Sequence, residues 1–233
     1  SKLLSWIVKK AIKNSNSIFG PPLLVDEIEK WNLNTELNEN IIGIDCSIFK
    51  PSEKTKTIVF ARGFKEVYNP IVVSKAIEVL SSKLDNYEFI LCGDGPLKPE
   101  SERILSYCKN VQFTGQISET KLAEIIGKAE LVLSPSLSDS IPLTILEAVA
   151  SGTPVVASNI PANQKWVDRK LPVFLFKTED SESLVEEILK VIKDDSILEN
   201  TVKTGPNLIK EKYRWEKEAE KVLKKYVDLV ASN

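Results

Sequence analysis

The sequence predicts an α/β protein, a doubly wound, Rossmann-like layer structure built on a parallel sheet. Three observations lead there. From about residue 57 onward, short β-rich runs alternate with stretches of helical apolar spacing. The runs are apolar throughout and lack polar alternation, as strands covered on both faces must be. Right-handed crossovers through the intervening helices then give the doubly wound arrangement.

The elements follow in order. SKLLSWIVKKAIKN (1–14) mixes Lys with Leu, Ile and Trp at helical spacing and has no small-residue cleavage site, so it reads as a basic helix and a poor signal peptide. The short run SIFG (17–20) comes next, then PPLLVDEIEKWNL (21–33), helical with Pro in its first turn. IIGIDCSIFKP (41–51) leads into the Pro- and Lys-rich PSEKTK (51–56), and a domain boundary is expected there, near residue 50. The strand runs are TIVFA (57–61), EFILCG (88–93), VQFTG (111–115), LVLSPS (131–136), PVVAS (154–158) and PVFLF (172–176). Between them lie the helical stretches IVVSKAIEVLSSKL, KPESERILSYCK, SETKLAEIIGKA and PLTILEAVAS. After residue 180 the chain turns helical. SESLVEEILKVIKDD is one amphipathic helix, and WEKEAEKVLKKYVDLV is another, with Trp215, Ala219, Val222, Leu223, Tyr226 and Val230 on one stripe.

Composition narrows the function classes. Of 233 residues, 42% are hydrophobic, enough for a globular core in one large domain or two small ones. The 31 basic and 33 acidic residues nearly cancel, and no basic patch is interleaved with aromatics, so nucleic acid is not an expected partner. Cys46, Cys92 and Cys108 are odd in number and lack C-x-x-C spacing, which suggests a reduced, cytoplasmic protein with buried thiols. No run of 18 apolar residues spans a membrane. The absence of His removes imidazole catalysis and His metal sites; the absence of Met, with Ser first, suggests a fragment or a trimmed chain.

In a doubly wound sheet, ligands bind beyond the carboxyl ends of the strands, at helix N-termini. Gly93-Asp94-Gly95-Pro96 follows one strand, but Lys98 stands where a dinucleotide fingerprint needs its third Gly, and no Walker motif exists. Gly93 and Gly95 fit either a tight turn or a ligand approach. The loop at 136–142 is richer. Ser138, Asp139 and Ser140 are good N-caps, Pro142 suits a first helical turn, and Gly152 and Pro154 end the helix. Its start is therefore a candidate phosphate site. Along that helix Ser140, Thr144, Glu147 and Ser151 share a stripe, which either faces water or lines a cleft where Glu147 accepts ribose hydroxyls. Arg62, in FARGFK with Gly63 and Lys65, is either a surface cation paired with an acid or a diphosphate clamp.

Together these pieces resemble the C-terminal, nucleotide-sugar-binding half of GT-B glycosyltransferases, specifically the large retaining family 4. IIGIDCSIFKP resembles the junction before the second domain; FARGF, FILCGDGP, VQFTGQIS, AELVLSPS and SDSIPLTILEAVASGTPVVAS follow in the family's order. The last carries the E-x7-E pattern in variant form, with Asp139 in the first position and Glu147 in the second. The similarity covers about residues 40 to 227. It implies that Glu147 holds the ribose and Asp139 contacts the transferred sugar. Ser140, Ile141, Pro142, Leu143 and Thr144 would meet the sugar and diphosphate. Arg62 with Gly63 and Lys65 would neutralise the leaving group, beside the turn of Gly93 and Gly95. Gln116 and Ile117 would lie against the base. The donor would be a UDP- or GDP-linked sugar for hexosyl transfer, without metal or cofactor. The family's K-G step reads EVYNP here, and a later family glutamate falls near Lys165.

The resemblance also divides the chain: residues 1–50 as the remnant of an acceptor-side domain and linker, 51–210 as the donor-binding domain, and 211–233 as a helix that packs back on the missing domain. That missing domain would supply a catalytic-region His and any peripheral membrane contact. The alternative is a non-catalytic nucleotide-sugar-binding subunit whose acceptor is brought by a separate chain.

Overall fold

The computed structural model describes residues 2–231. The chain forms two compact units, one of the residues up to Gly43 together with those from Tyr213 onward, the other Ile44–Lys212. The first unit begins with α1 (Lys2–Lys13), β1 (Ser17–Gly20), α2 (Pro22–Glu29) and β2 (Glu36–Glu39). Pro22 opens α2 as its position suggests, because its fixed φ suits a first turn that needs no N–H donor. β1 and β2 pair in parallel, with Ser17 opposite Glu36. β2 reads ELNE, too short and polar to announce itself by periodicity.

The second unit carries the sheet. Its elements are β3 (Thr55–Ala61), a 3-10 turn (Glu66–Tyr68), α3 (Pro70–Leu80), β4 (Glu88–Cys92), α4 (Lys98–Ile104), β5 (Val111–Gly115), α5 (Glu119–Lys128) and β6 (Ala129–Ser134). α6 (Leu143–Ala150), β7 (Val155–Ser158), α7 (Pro161–Asp168), β8 (Val173–Phe176), α8 (Ser181–Lys193) and α9 (Asp195–Lys212) complete it. All six strands lie parallel in the order β5-β4-β3-β6-β7-β8, as the apolar runs require. The chain therefore winds one way from β3 through β5, then starts again on the other side of β3. That reversal puts the carboxyl ends of β3 and β6 side by side, which opens a crevice between their outgoing loops.

Covered strands explain the sequence pattern. Ile58 and Phe60 of β3, Leu91 of β4, and Leu131 and Leu133 of β6 are buried against Val73, Ile77 and Leu80 of α3 and Leu184 and Ile188 of α8. Each such side chain contributes about 1.5–3 kcal/mol on burial. α6 packs on α9, and a Cβ placed at Gly205 would lie 2.8 Å from the Val149 carbonyl oxygen. Gly205 and Pro206 thus sit inside an 18-residue helix that the sequence alone argues against, since both residues normally break one.

At the amino end of the sheet, Lys54 tucks its ammonium under two helix ends. It donates to the carbonyls of Gly127 and Ser151, both at 3.0 Å, and to Thr153 Oγ1 at 2.6 Å. Burial pushes it down to about 7, opposed by the charge of Glu130. The PSEKTK run is not plain linker, because its first lysine closes the sheet's lower edge.

α10 (Trp215–Ala231) returns to the first unit. The apolar stripe expected to be its packing face is exposed instead, Leu223 by 64% and Val230 by 77%. The buried residue of α10 is Glu218, which accepts hydrogen bonds from the Ile41 N–H and Asn40 Nδ2 at 3.3 Å and pairs with Lys221. None of the three cysteines forms a disulfide; Cys92 is buried, but Cys46 and Cys108 are only half-buried, against the expectation of three buried thiols. No helix among the described residues is long and apolar enough to cross a membrane.

Candidate functional site

Arg62 leaves the end of β3, and Ser136 and Asp139 leave the end of β6, so the strand order alone makes them neighbours. The Arg62 guanidinium donates through Nη2 to Ser136 Oγ at 3.4 Å and forms an ion pair with Asp139. Both side chains are largely enclosed, 14% and 11% exposed. Asp139 also accepts the Ile141 N–H at 3.2 Å. Behind them runs a buried polar chain: Asn163 Nδ2 donates to the Ser158 carbonyl at 2.8 Å, and Ser158 Oγ donates to the Ser136 carbonyl at 2.5 Å. This chain fixes the exit of β6 from below.

The turn after β3 is anchored by Phe64, wholly buried and in edge contact with Phe60 at 5.6 Å. It interlocks with the turn after β4. The Phe64 N–H donates to the Asp94 carbonyl at 3.0 Å and the Leu97 N–H to the Phe64 carbonyl at 2.9 Å. A Cβ on Gly93 would come within 2.6 Å of the Arg62 carbonyl oxygen, and one on Gly95 within 2.6 Å of the Phe64 carbonyl oxygen. Both glycines are required by this backbone approach, so tight packing accounts for them without a ligand. Gly93 nonetheless also lines a cleft of about 150 Å³ with Arg62, Gly63, Gln116, Ile117 and Cys92. Gly95 does not line it.

The helix start differs from the sequence expectation. α6 begins at Leu143, with Pro142 as its N-cap and no capping side chain, and Ser140 is exposed. Asp139 is engaged by Arg62 and the Ile141 amide, which draws the good caps away from the helix. The Leu143 N–H is turned back to the Ile141 carbonyl at 2.9 Å. Thr144 and Ser151 of the polar stripe are buried, so beyond the exposed Ser140 the stripe does not face open water.

Glu147, on that stripe, is half-buried. Burial pushes its carboxyl up to about 7; the Arg62 charge pulls it back and Glu119 adds to the rise. Burial likewise lowers Arg62, opposed by Tyr68 and Glu147. The rim thus holds the Arg62 guanidinium with Asp139 and Glu147, and Arg62 also borders the cleft.

Of the residues expected from sequence, the structure brings together Arg62, Asp139 and Glu147, and separately Arg62, Gly63, Gly93, Gln116 and Ile117 around the cleft. Lys65 is exposed and makes no ion pair among the described residues. Ser136, Ser158, Asn163 and Tyr68 were not singled out by sequence. The guanidinium carbon of Arg62 lies 4.6 Å from the Tyr68 ring centroid. An -S-P-S- at a strand exit was the available signal for Ser136; Tyr68 carried none.

The chain is 28% identical to sulfoquinovosyl transferase SQD2 of Arabidopsis thaliana over 190 residues, 74% of this chain but 36% of that relative's length. Its fold is similar to sucrose-phosphate synthase from Thermosynechococcus elongatus, at a TM-score of 0.82 and 19% identity, covering 100% of this chain and 63% of that one. It is similar also to the pneumococcal O-GlcNAc transferase GtfA in complex with UDP and GlcNAc, at a TM-score of 0.78 and 19% identity, covering 94% and 46%. These structural likenesses speak for the fold. The family model of the glycosyl transferases group 1 matches residues 47–208, most of the second unit, and the chain belongs to that family.

Proposed function

We propose that this chain is the donor-binding part of a retaining hexosyltransferase that uses a nucleotide diphosphate sugar without a metal ion. The observation that carries the reading is the convergence of Arg62, Asp139 and Glu147 at the reversal of strand order, beside a cleft lined by Gly63, Gly93, Gln116 and Ile117. The UDP and GlcNAc bound by the pneumococcal neighbour fit such a donor.

In this reading the base lies against Gln116 and Ile117, and the Glu147 carboxylate accepts the ribose hydroxyls. The diphosphate meets Arg62, whose charge stabilises the negative charge that grows on the leaving group as the glycosidic bond breaks. The Asp139 carboxylate occupies the guanidinium until donor arrives. A phosphate oxygen takes its place on binding, and Asp139 turns to the sugar. The Ser140 amide supports the same end of the donor. Because the acceptor has to be brought to the exposed face of this site, the 233 residues alone are expected to bind nucleotide and turn over little.

Calorimetric titration with UDP- and GDP-sugars tests the reading. Glu147→Ala should lose about 1.5–3 kcal/mol of binding free energy. Equal affinity in the two proteins would remove Glu147 from the site. Rapid glycosyl transfer by the 233 residues alone would remove the need for a further acceptor-bearing part.

A further inference from the structure

The segment between β3 and α3 does more than connect them. Its 3-10 turn ends at Asn69, which adopts a left-handed φ of 50°, and Pro70 then opens α3. Midway, the Val67 carbonyl accepts the Leu137 N–H at 2.8 Å, so the segment is tied to the loop that carries Asp139. The Tyr68 N–H donates to the Lys65 carbonyl at 2.9 Å. The peptide group between Val67 and Tyr68 is thus held on both sides, and the Tyr68 ring lies under the Arg62 guanidinium at 4.6 Å, with its edge 3.8 Å from where a Gly63 side chain would start. A face-on ring attracts a guanidinium and leaves its in-plane N–H groups unspent. That matters here, because Ser136 Oγ and Asp139 both engage Nη2 and Nε is buried, so what the guanidinium can offer a ligand depends on how its plane is turned.

We infer that Tyr68 is a positioning residue for the donor diphosphate: its ring fixes the plane of the Arg62 guanidinium, so that the donors not used by the protein face the phosphate. Lys65 of the same segment is exposed and makes no ion pair among the described residues, whereas Tyr68 adds no charge and orients the enclosed one. The inference rests on the donor-binding reading above and assigns to this chain how its single buried cation at this rim is aimed.

The test uses the full chain and compares nucleoside diphosphates with monophosphates, UDP against UMP and GDP against GMP. Tyr68→Leu should weaken the diphosphate about tenfold while leaving the monophosphate within about twofold. Tyr68→Phe, which keeps the ring, should restore the wild-type ratio. Melting curves accompany each variant. Should Tyr68→Leu melt below the assay temperature, Tyr68→Met, of similar length without a ring, is read against the same two outcomes. A wild-type ratio in the ringless variant overturns the role of Tyr68 while leaving the donor site standing. A wild-type chain that binds neither UDP nor GDP overturns the donor-binding reading, and this inference with it.

Discussion

The two ends of the sheet each enclose a charge, and they treat it differently. At the amino end Lys54 is held by three acceptors, two of them carbonyls at the close of α5 and α6, where the helix dipole favours a cation. At the carboxyl end Glu147 is enclosed with the Arg62 charge in its favour and Glu119 against it, and the Arg62 Nε is buried without a partner. At the lower rim the Lys54 ammonium itself is fully partnered, although Ser151 Oγ beside it is buried without a partner. The upper rim keeps polar capacity that the folded chain itself does not use, which costs stability.

Lys54→Met is expected to have the largest effect on that contrast. It strips the Ser151 carbonyl of the donor it has in Lys54, and should cost about 3 kcal/mol in a urea melt at pH 9. The pH matters. Folding lowers the Lys54 pKa from 10.5 to about 7. Its contribution is therefore present above 10.5 and lost as pH falls through about 7, so the penalty for Lys54→Met should shrink on the acid side. A penalty that is flat from pH 6 to 9 would mean the lysine stays charged in the fold.

Glu147→Gln comes next, with the opposite sign. Folding raises this carboxyl from 4.5 to about 7, so the wild type is favoured below 4.5 and loses that advantage as pH rises through about 7. The variant should be more stable by about 2 kcal/mol at pH 8 and no different at pH 4, while binding nucleotide more weakly. Together the two rims predict a stability minimum near neutral pH in the wild type. Each variant should flatten one side of it. A variant less stable at pH 8 than the wild type would show Glu147 to be a structural group.

Asp180→Ala gives the smallest effect and the reference point. Asp180 caps α8, accepting the Ser183 N–H at 3.0 Å. Its loss should cost about 1 kcal/mol with nucleotide affinity unchanged. A drop in affinity here would mean that general loosening, not the upper rim, governs binding.

Much of this was legible in the sequence because buried parallel strands read as unbroken apolar runs. The six runs became β3 to β8, and the Arg, the acidic loop and Glu147 were recognisable by residue type. What could not be read is adjacency. Arg62 and Ser136 are 74 residues apart, and only the strand order joins them. The same limit hid Lys54 in a polar run and Tyr68 in a connecting turn, since their roles lie wholly in tertiary partners. α7, PANQKWVD, is too short and polar for its period to show. The helix start after β6 departs from the sequence expectation for a related reason, as capping residues are also good ligands for a guanidinium. α10 taught the reverse: its apolar stripe was real in the sequence and is exposed in the fold.

The two turns after β3 and β4 meet backbone to backbone, with no side chain between Gly93 or Gly95 and the carbonyls they face. Such a seam has nothing to substitute. Variation around the opening is then left to Gln116, Ile117 and Leu122, whose side chains border the cavity and can be exchanged without prying the two turns apart.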